Sequence, residues 1–239
     1  MVTKTIDDKN IPKDIKDMFT AGAHFAFSKA RRHPTFKQFI FGAKNGTEII
    51  DLEKIDKCLI PALDFVANLA KEKKTILFVG SKSEARDIVR ASALSIGMPF
   101  VSDRWIGGTL TNFDQIKRRI ARLDELVSKK ENNELTKYTK KERLLIDREI
   151  ETLTRFFDGL RSLSKLPDAI FVVDSKKEHI AVSEAQKMKI KIISLSSSDC
   201  DLSKIDFPIP ANDSSRTSIE YFVKRVSDAY KKSAVESKA

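Results

Sequence analysis

Two stretches decide the fold: TILFVGSKSE at residues 75–84 and DAIFVVDSKKE at residues 168–178. Each begins with a short apolar run, which is typical of a strand buried on both faces of a sheet. Each run is followed by a Ser-x-x-Glu pattern, at Ser81 and at Ser175. This pattern resembles a capping box and predicts the start of a helix. We therefore expect strand, cap and helix to recur along the chain.

The same alternation extends beyond these two stretches. Apolar residues at helical spacing span Glu53 to Lys71, and short apolar runs at Pro99–Ser102 and Ile190–Leu195 predict further strands. A last helix is predicted from Ser215 to Lys232. Buried strands that alternate with helices are typical of a parallel sheet covered on both faces. The sequence thus predicts an α/β protein.

The amino-terminal part departs from this alternation. It predicts a short helix at Pro12–Thr20 and a loop at Gly22–Pro34. Two strands, Gln38–Phe41 and Glu48–Asp51, then flank the tripeptide Lys44-Asn45-Gly46. Asn-Gly between two apolar runs is a strong turn signal, so we expect a β-hairpin here.

The region from Asn112 to Gly159 carries two apolar seams spaced by three and four residues, as in coiled coils. The first seam comprises Phe113, Ile116, Ile120, Leu123 and Val127, and the second comprises Ile146, Ile150, Leu153, Phe157 and Leu160. A polar stretch and a third capping pattern, Thr139-x-x-Glu142, separate them. We expect an antiparallel coiled-coil hairpin at 111–160, inserted into an α/β domain of 1–110 and 161–239. Two helices lying flat on the main core are the alternative.

The charge balance favours a polyanionic partner. The chain has 44 Lys and Arg against 34 Asp and Glu, a formal net charge of +10. Cations that neutralise phosphates release condensed counterions, although a merely soluble basic protein has the same composition. Cys58 and Cys200 lack the spacing of a zinc site and are far apart in sequence. We expect no disulfide framework, which fits a reducing compartment. Neither a signal peptide nor a membrane span is expected.

Residues 18–47, here called the basic segment, are the main candidate for RNA contact. They hold five cations and six phenylalanines but no acidic residue. Cations bind phosphates and rings stack on unpaired bases, although we expect most of these rings to pack inside. The predicted RNA-binding residues are Lys29, Arg31, Arg32, Lys37 and Lys44. Secondary candidates are Arg104 and the hairpin tip with Lys129, Lys130 and Lys137.

Residues 103–113, DRWIGGTLTNF, are here called the elbow because they precede the first hairpin helix. They contain the single tryptophan of the chain and a Gly-Gly pair. Glycine permits positive φ or a close backbone approach, and Thr111 or Asn112 could cap the helix that follows. The residues expected to set this geometry are Trp105, Gly107, Gly108 and Asn112. A phosphate-binding loop is the competing interpretation, but the chain lacks both glycine-rich phosphate motifs.

No catalytic constellation emerges from the sequence. The three histidines have no metalloprotease spacing, and Asp174 lacks the acidic neighbours of a phospho-accepting aspartate. We expect no metal, no cofactor and no small-molecule substrate. One rival interpretation is an α/β enzyme that binds a phosphate ligand beyond the strand ends, using helix starts such as those near Ser81 and Ser175. Another is a coiled-coil adaptor that binds only protein.

A set of ordered motifs resembles the bacterial-type small-subunit ribosomal protein S2 family, universal name uS2. They are MFTAGAHF at 18–25, FIFGAKNGTEIIDL at 39–52, RWIGGTLTNF at 104–113, part of LTKYTKKE at 135–142, the run from Leu166 to Leu195, and CDLSKIDFPIPAND at 200–213. Together they span nearly the whole chain, so the resemblance is far more specific than any single motif.

This resemblance implies a Rossmann- or flavodoxin-like layered domain with a protruding coiled-coil hairpin. It further implies a structural constituent of the small ribosomal subunit that binds rRNA between head and body and supports translation. The implied partners are neighbouring ribosomal proteins and, in bacteria, ribosomal protein S1. The implied location is a cytoplasmic or organellar ribosome, with no catalysis.

The sequence departs from the family pattern in two regions. The family continues Gly-His after AGAHF, whereas this chain has Ala26-Phe27. The family's Asp-Thr-Asn and Pro-Gly-Asn-Asp are here Ser197-Ser198-Asp199 and Pro210-Ala211-Asn212-Asp213, and Arg216 is displaced. A role of the second histidine, including metal binding, and residue roles at 197–217 are therefore not carried over.

Overall fold

The computed structural model describes residues 12–236. Within this range the helices are α1 (Lys13–Thr20), α2 (Leu52–Lys71), α3 (Ser83–Ser95), α4 (Phe113–Glu131), α5 (Lys140–Phe157), α6 (His179–Lys187) and α7 (Arg216–Glu236). The strands are β1 (Ile40–Lys44), β2 (Thr47–Ile50), β3 (Ile76–Val79), β4 (Phe100–Val101), β5 (Ala169–Val173), β6 (Lys191–Ser196) and β7 (Phe207–Pro210).

The core of the fold is a five-stranded sheet in the order β4-β3-β5-β6-β7, with every neighbouring pair parallel. Side chains alternate between the two faces of a strand. Ile76 and Phe78 therefore belong to one apolar cluster with α2, α3 and α7. Leu77 and Val79 belong to a second cluster with α6, the elbow and parts of α4 and α5. The predicted α/β class with a mainly parallel sheet is confirmed.

Strand β7 was not predicted from the sequence. Its residues, FPIP, include Pro208 and Pro210, and proline cannot donate a hydrogen bond to a sheet. The strand is tolerated because it lies at the edge, where it pairs only with β6. The two prolines also leave this edge poor in donors for a further strand.

The helix starts predicted at Ser81 and Ser175 are wrong. Helix α3 begins two residues after Ser81, and α6 begins four residues after Ser175. The backbone N–H of Ser81 donates to Glu178 Oε1 at 3.0 Å, and the Ser81 hydroxyl donates to the same oxygen. Glu178 is buried, so leaving its carboxylate without hydrogen-bond donors would cost more free energy than leaving an exposed helix end to water. By contrast, the predicted capping box of Thr139 and Glu142 is confirmed.

The predicted β-hairpin near the amino terminus is confirmed as β1 and β2, which are antiparallel. Asn45 and Gly46 occupy its turn with φ of 51° and 80°, as a two-residue hairpin turn requires. A β-bulge between Ile40 and Gly42 interrupts the alternation of side chains. Phe41 is for this reason 78% exposed, whereas Phe39, two residues earlier, is buried.

Three helices end at the amino-terminal edge of the parallel sheet with a residue in the left-handed region. These residues are Lys73 after α2, Gly97 after α3 and Lys189 after α6, with φ of 54°, 67° and 56°. Glycine is the usual residue at this position, because an L side chain there costs about 1–2 kcal/mol. Only α3 is therefore followed by glycine, the residue that adopts this conformation without strain.

Helices α4 and α5 pack against each other and are joined by a 3₁₀ helix at Glu134–Lys137. Ion pairs of Arg122 with Glu149 at 3.2 Å and of Lys130 with Asp147 at 2.7 Å connect them. Most of the predicted seam residues are buried or packed against buried ones. Their arrangement as a coiled coil that projects from the sheet stays a prediction.

The end of α5 packs tightly against strand β4 through Gly159. A Cβ atom on Gly159 would lie 2.3 Å from the carbonyl oxygen of Phe100 and 2.8 Å from its ring. Glycine is thus required here by a close approach of two backbones. This contact joins the base of the two long helices to the edge of the sheet.

The elbow is organised by a carboxylate that the sequence did not single out. Glu184, buried on α6, accepts hydrogen bonds from the backbone N–H groups of Gly108, Leu110 and Thr111 at 2.8, 3.0 and 3.2 Å. It also accepts from the Thr111 hydroxyl and from Trp105 Nε1 at 3.2 Å. Burial alone would raise the pKa of Glu184, but these donors hold it below its usual value.

Of the residues expected to set the geometry of the elbow, some have the predicted conformation or contact and others do not. Gly108 has a φ of 90°, which favours glycine, whereas Gly107 has neither a positive φ nor a close neighbour. Asn112 stands at the N-cap position of α4, but its side chain makes no capping bond. The predicted capping by Thr111 is also wrong, because its hydroxyl is committed to Glu184.

We predict that Gly159→Ala lowers the free energy of unfolding by about 2 kcal/mol, because the added methyl group overpacks the contact with Phe100. Urea denaturation monitored by far-ultraviolet circular dichroism measures this change. Gly107→Ala is the matched control, with an expected change within about 0.5 kcal/mol. Equal stabilities for the two variants would contradict the close approach at Gly159.

We predict that Glu184→Gln loosens the elbow, since an amide cannot accept from all five donors. The free energy of unfolding should fall by about 2 kcal/mol, as expected for bonds to a charged group. Trp105 is the single tryptophan, so its fluorescence emission should shift to the red as the elbow admits water. Glu220→Gln, at an exposed site on α7, serves as the control and should leave the emission unchanged.

Candidate nucleic-acid interface

The basic segment lies on loops at the carboxyl-terminal edge of the parallel sheet. The backbone N–H of His33 donates to the Ser198 carbonyl at 2.8 Å, and that of Phe27 donates to the Ser198 hydroxyl at 3.1 Å. Asn212 N–H donates to the carbonyl of Ala23 at 3.0 Å. Ser198 follows β6 and Asn212 follows β7, so the last two strands position the segment.

Three of its five predicted RNA-binding cations are exposed and carry no ion pair within residues 12–236. They are Lys29 in a short 3₁₀ helix, Lys37 in the next 3₁₀ helix and Lys44 at the end of β1. Because no carboxylate of the described chain neutralises them, their charge is directed to the solvent. They are the residues of the segment best suited to binding phosphates.

Arg31 is exposed but held in place. Its guanidinium group lies 4.0 Å above the ring of Phe27, and Nη2 is 3.5 Å from the Asp199 carboxylate. Lys176 shares the same carboxylate at 2.9 Å. Two cations and one anion therefore meet here, which leaves positive charge in excess at a site where stacking has ordered the guanidinium.

Arg32 serves a different purpose from its neighbour. Its Nη1 lies 2.6 Å from Glu48 Oε1, and the side chains of Arg32 and Glu48 are only 17% and 4% exposed. The acid-free segment ends one residue before Glu48, so the sequence alone did not reveal this pair. The guanidinium compensates a buried carboxylate, which makes Arg32 in the first place a structural residue.

The phenylalanines of the segment do not mostly pack inside, contrary to expectation. Phe36 and Phe39 are buried, whereas Phe19, Phe25 and Phe41 are 61%, 52% and 78% exposed. His24 is buried, with its ring centroid 4.6 Å from that of Phe19 and 4.1 Å from that of Phe25. Two of the exposed rings therefore cover the histidine, and burial lowers its pKa.

The secondary candidates lie outside the segment. Arg104 is exposed at the elbow. In the tip region of α4 and α5, Lys129 pairs with Glu125, and Lys130 pairs with Asp147. Lys137 is exposed, 5.7 Å from the ring centroid of Tyr138. Such surface pairs are weak, so these lysines can exchange a carboxylate for a phosphate.

The crevice at the carboxyl ends of β3 and β5 is where ligands bind in folds of this topology. Here Lys82 fills it, with Nζ 3.0 Å from Asp174 Oδ2 and 3.0 Å from Asp213 Oδ1. Burial lowers the pKa of Lys82, but attraction to the two carboxylates outweighs burial and raises it. Two carboxylates and a bonded N–H at Ser81 are unfavourable to a phosphate ligand.

The same crevice contains the one group of potential metal ligands found among the residues that the structure describes. It comprises Asp174, Cys200 and Asp213, whose ligand atoms lie within 4.8 Å of one another. Burial raises the pKa of the Cys200 thiol to about 12 and that of Asp213 to about 6. The ammonium group of Lys82 lies between the two carboxylates and compensates one of their two negative charges.

Among the described residues, no helix is both long enough and apolar enough to cross a membrane.

Comparison of the sequence with known proteins identifies the family and its relatives. A family model for Ribosomal protein S2 matches residues 18–233. The chain is 43% identical over 215 residues to the small ribosomal subunit protein uS2 of Francisella tularensis subsp. novicida, covering 90% of each chain. The uS2 proteins of Sulfurimonas denitrificans and Petrotoga mobilis are 41% and 44% identical over 215 residues, which make up 90% of this chain and 83% and 75% of theirs.

The residues that the family model matches include the basic segment, the elbow and every strand of the parallel sheet. The chain belongs to the Ribosomal protein S2 family.

Proposed function

We propose that this protein is a structural constituent of the small ribosomal subunit and binds its rRNA through the basic segment. The observation that supports this interface best is the set of three exposed cations without ion pairs, Lys29, Lys37 and Lys44, within an acid-free stretch. Family membership supports the ribosomal role, because the relatives are named small ribosomal subunit protein uS2. A ribosome-bound protein with rRNA and protein neighbours follows from that role.

The contacts of the basic segment are of the kind that position a protein on RNA. Lysine ammonium groups neutralise phosphates without reading bases, and the release of counterions makes binding depend steeply on salt. Arg31 adds a planar group that is already ordered by Phe27, so it loses little side-chain freedom on binding. Arg104 and the tip lysines Lys129, Lys130 and Lys137 would add secondary contacts.

The finer assignments extend this proposal. The chain would bind between the head and body of the subunit in the cytoplasm, or in an organelle, and would present a docking surface for ribosomal protein S1. Residues 111–160 would form an inserted coiled-coil hairpin that reaches neighbouring components, on an α/β domain of 1–110 and 161–239. The hydrogen bonds of the elbow to Glu184 support a fixed orientation of that hairpin.

The two rival functions fit the geometry less well. A phosphate-binding enzyme would need a free cation or free N–H groups in the crevice, but Lys82 is ion-paired there and Ser81 N–H is bonded to Glu178. A coiled-coil adaptor that binds only protein leaves the unpaired lysines of the basic segment without a role. Such an adaptor would associate with RNA weakly and with little dependence on salt.

We predict that combined Lys29→Ala, Lys37→Ala and Lys44→Ala weakens binding to small subunits stripped of their own S2 protein. The slope of log affinity against log salt concentration is negative, and it should become less steep by about two to three, because each lysine contributes one phosphate contact. Co-sedimentation across a salt series measures both quantities. The melting temperature should not change, because none of the three side chains packs in the core.

The matched control removes three exposed lysines from α2 and α7, namely Lys57, Lys224 and Lys231. This variant should keep the wild-type slope, and identical slopes for both triple variants would exclude the basic segment from the interface. Arg32→Ala is expected to behave differently, since it leaves the buried Glu48 carboxylate unpaired. It should lower the free energy of unfolding by about 3 kcal/mol, measured by urea denaturation.

A further inference from the structure

A second concentration of lysines lies at the edge of the sheet opposite to the basic segment. The strands of the parallel sheet all begin at this edge, so the turns that precede β3, β5 and β6 are brought together there. These turns, together with the adjoining ends of α2, α6 and β6, supply seven lysines, here called the lysine rim: Lys71, Lys73, Lys74, Lys165, Lys187, Lys189 and Lys191. With strands about 4.8 Å apart, three adjacent turns span roughly 10 Å.

The acidic side chains at this edge do not neutralise the rim. Glu72 pairs with Lys74 at 2.6 Å, and Asp206 pairs with Lys191 at 2.6 Å. Asp168 accepts from the backbone N–H of Thr75 at 3.0 Å. Five exposed lysines keep their charge, with no ion pair to any residue in the described part of the chain: Lys71, Lys73, Lys165, Lys187 and Lys189.

Helix ends explain only some of these lysines. Lys71 and Lys187 stand in the last turns of α2 and α6, where a cation compensates the partial negative charge of the helix. Lys73 and Lys189 come after the helices, in the left-handed conformation that L side chains rarely adopt. At the equivalent end of α3 the residue is Gly97, the relaxed choice. The compensation of helix ends therefore does not explain why lysine stands at these two strained positions.

We propose that the lysine rim binds the phosphate backbone of an rRNA helix, as a second contact separate from the basic segment. This inference rests on the proposed ribosomal function. Two features favour double-helical RNA, the first over an acidic protein segment and the second over single-stranded RNA. The charges are spread over three turns instead of forming one pocket, as suits a row of phosphates. The exposed apolar side chain in these turns, Met188, is only 37% exposed and offers no ring for stacking on unpaired bases.

The test uses the double variant Lys73→Gly with Lys189→Gly in the full-length chain. Glycine relieves the left-handed conformation, so the melting temperature should rise by about 3 °C. At the same time, binding to small subunits stripped of S2 should weaken, and the dependence of log affinity on log salt concentration should become less steep by about two. A variant that becomes more stable and yet binds less well separates RNA contact from folding.

Two further variants sharpen the experiment. Gly97→Lys places a third lysine in the same conformation, so it should lower the melting temperature and tighten binding. Lys57→Gln removes one exposed charge from α2, away from the rim, and should change neither quantity. Both variants are compared with the wild type by co-sedimentation and thermal denaturation under the same conditions.

The possible outcomes distinguish this inference from the proposed function. If the wild type binds saturably but the double variant binds equally well with the same slope, the rim is not an interface and the ribosomal function stands. Weaker binding with an unchanged slope would show that the rim faces a protein neighbour, which overturns the RNA assignment. A lower melting temperature of the double variant would contradict the strain that we infer at Lys73 and Lys189, on which the proposal depends. No saturable binding by the folded wild type would overturn both proposals.

Discussion

The carboxylate of Glu184 ties helix α6 to the elbow from which α4 begins. It lies on α6, against one face of the parallel sheet, and collects five hydrogen bonds from Trp105, Gly108, Leu110 and Thr111. A buried charge is stable only when it is fully hydrogen-bonded, so the elbow chain must wrap around this one side chain. Helix α4 starts immediately afterwards, and its direction is therefore tied to the sheet. The contact of Gly159 with Phe100 secures the base of the same pair of helices at the end of α5.

The cations of the chain divide into two groups that the net charge does not distinguish. Lys82 and Arg32 compensate buried carboxylates inside the protein and contribute to the fold. Lys29, Lys37 and Lys44 have no such partner in the described chain and remain available to a polyanion. Desolvation makes the difference, because a half-buried cation without a counter-charge is unstable, whereas an exposed one is merely solvated. The stability of the protein depends on the first group, and the RNA binding that we propose would depend on the second.

A layered α/β sheet is shared by many enzymes, so the fold itself does not decide the function. What separates this chain from them is the content of the crevice beyond β3 and β5. Lys82, Asp174 and Asp213 close it with an ion-pair network, and Glu178 accepts a hydrogen bond from the adjacent N–H group of Ser81. In an enzyme, the Lys82 ammonium and the Ser81 N–H group could bind a phosphate ligand. Here they form ion pairs and a hydrogen bond with carboxylates of the same chain. The surface of the molecule, with its exposed cations, is left as the place for interaction.

The sequence by itself determined the parallel sheet, the β-hairpin at Asn45-Gly46, the capping box at Thr139 and the family, because these depend on local periodicity and short motifs. It did not predict β7, since two prolines argue against a strand unless the strand is known to lie at an edge. It misplaced the helix starts at Ser81 and Ser175, because Glu178 and Ser196 compete for those hydroxyl groups from distant parts of the chain. The hydrogen bonds of Glu184, the ion pair of Arg32 and the gathering of the lysine rim at one edge were decided only by tertiary structure. Each depends on partners brought together from remote positions: Glu184 on the elbow about 75 residues earlier, Arg32 on the β-hairpin, and the rim on three strands that begin at one edge.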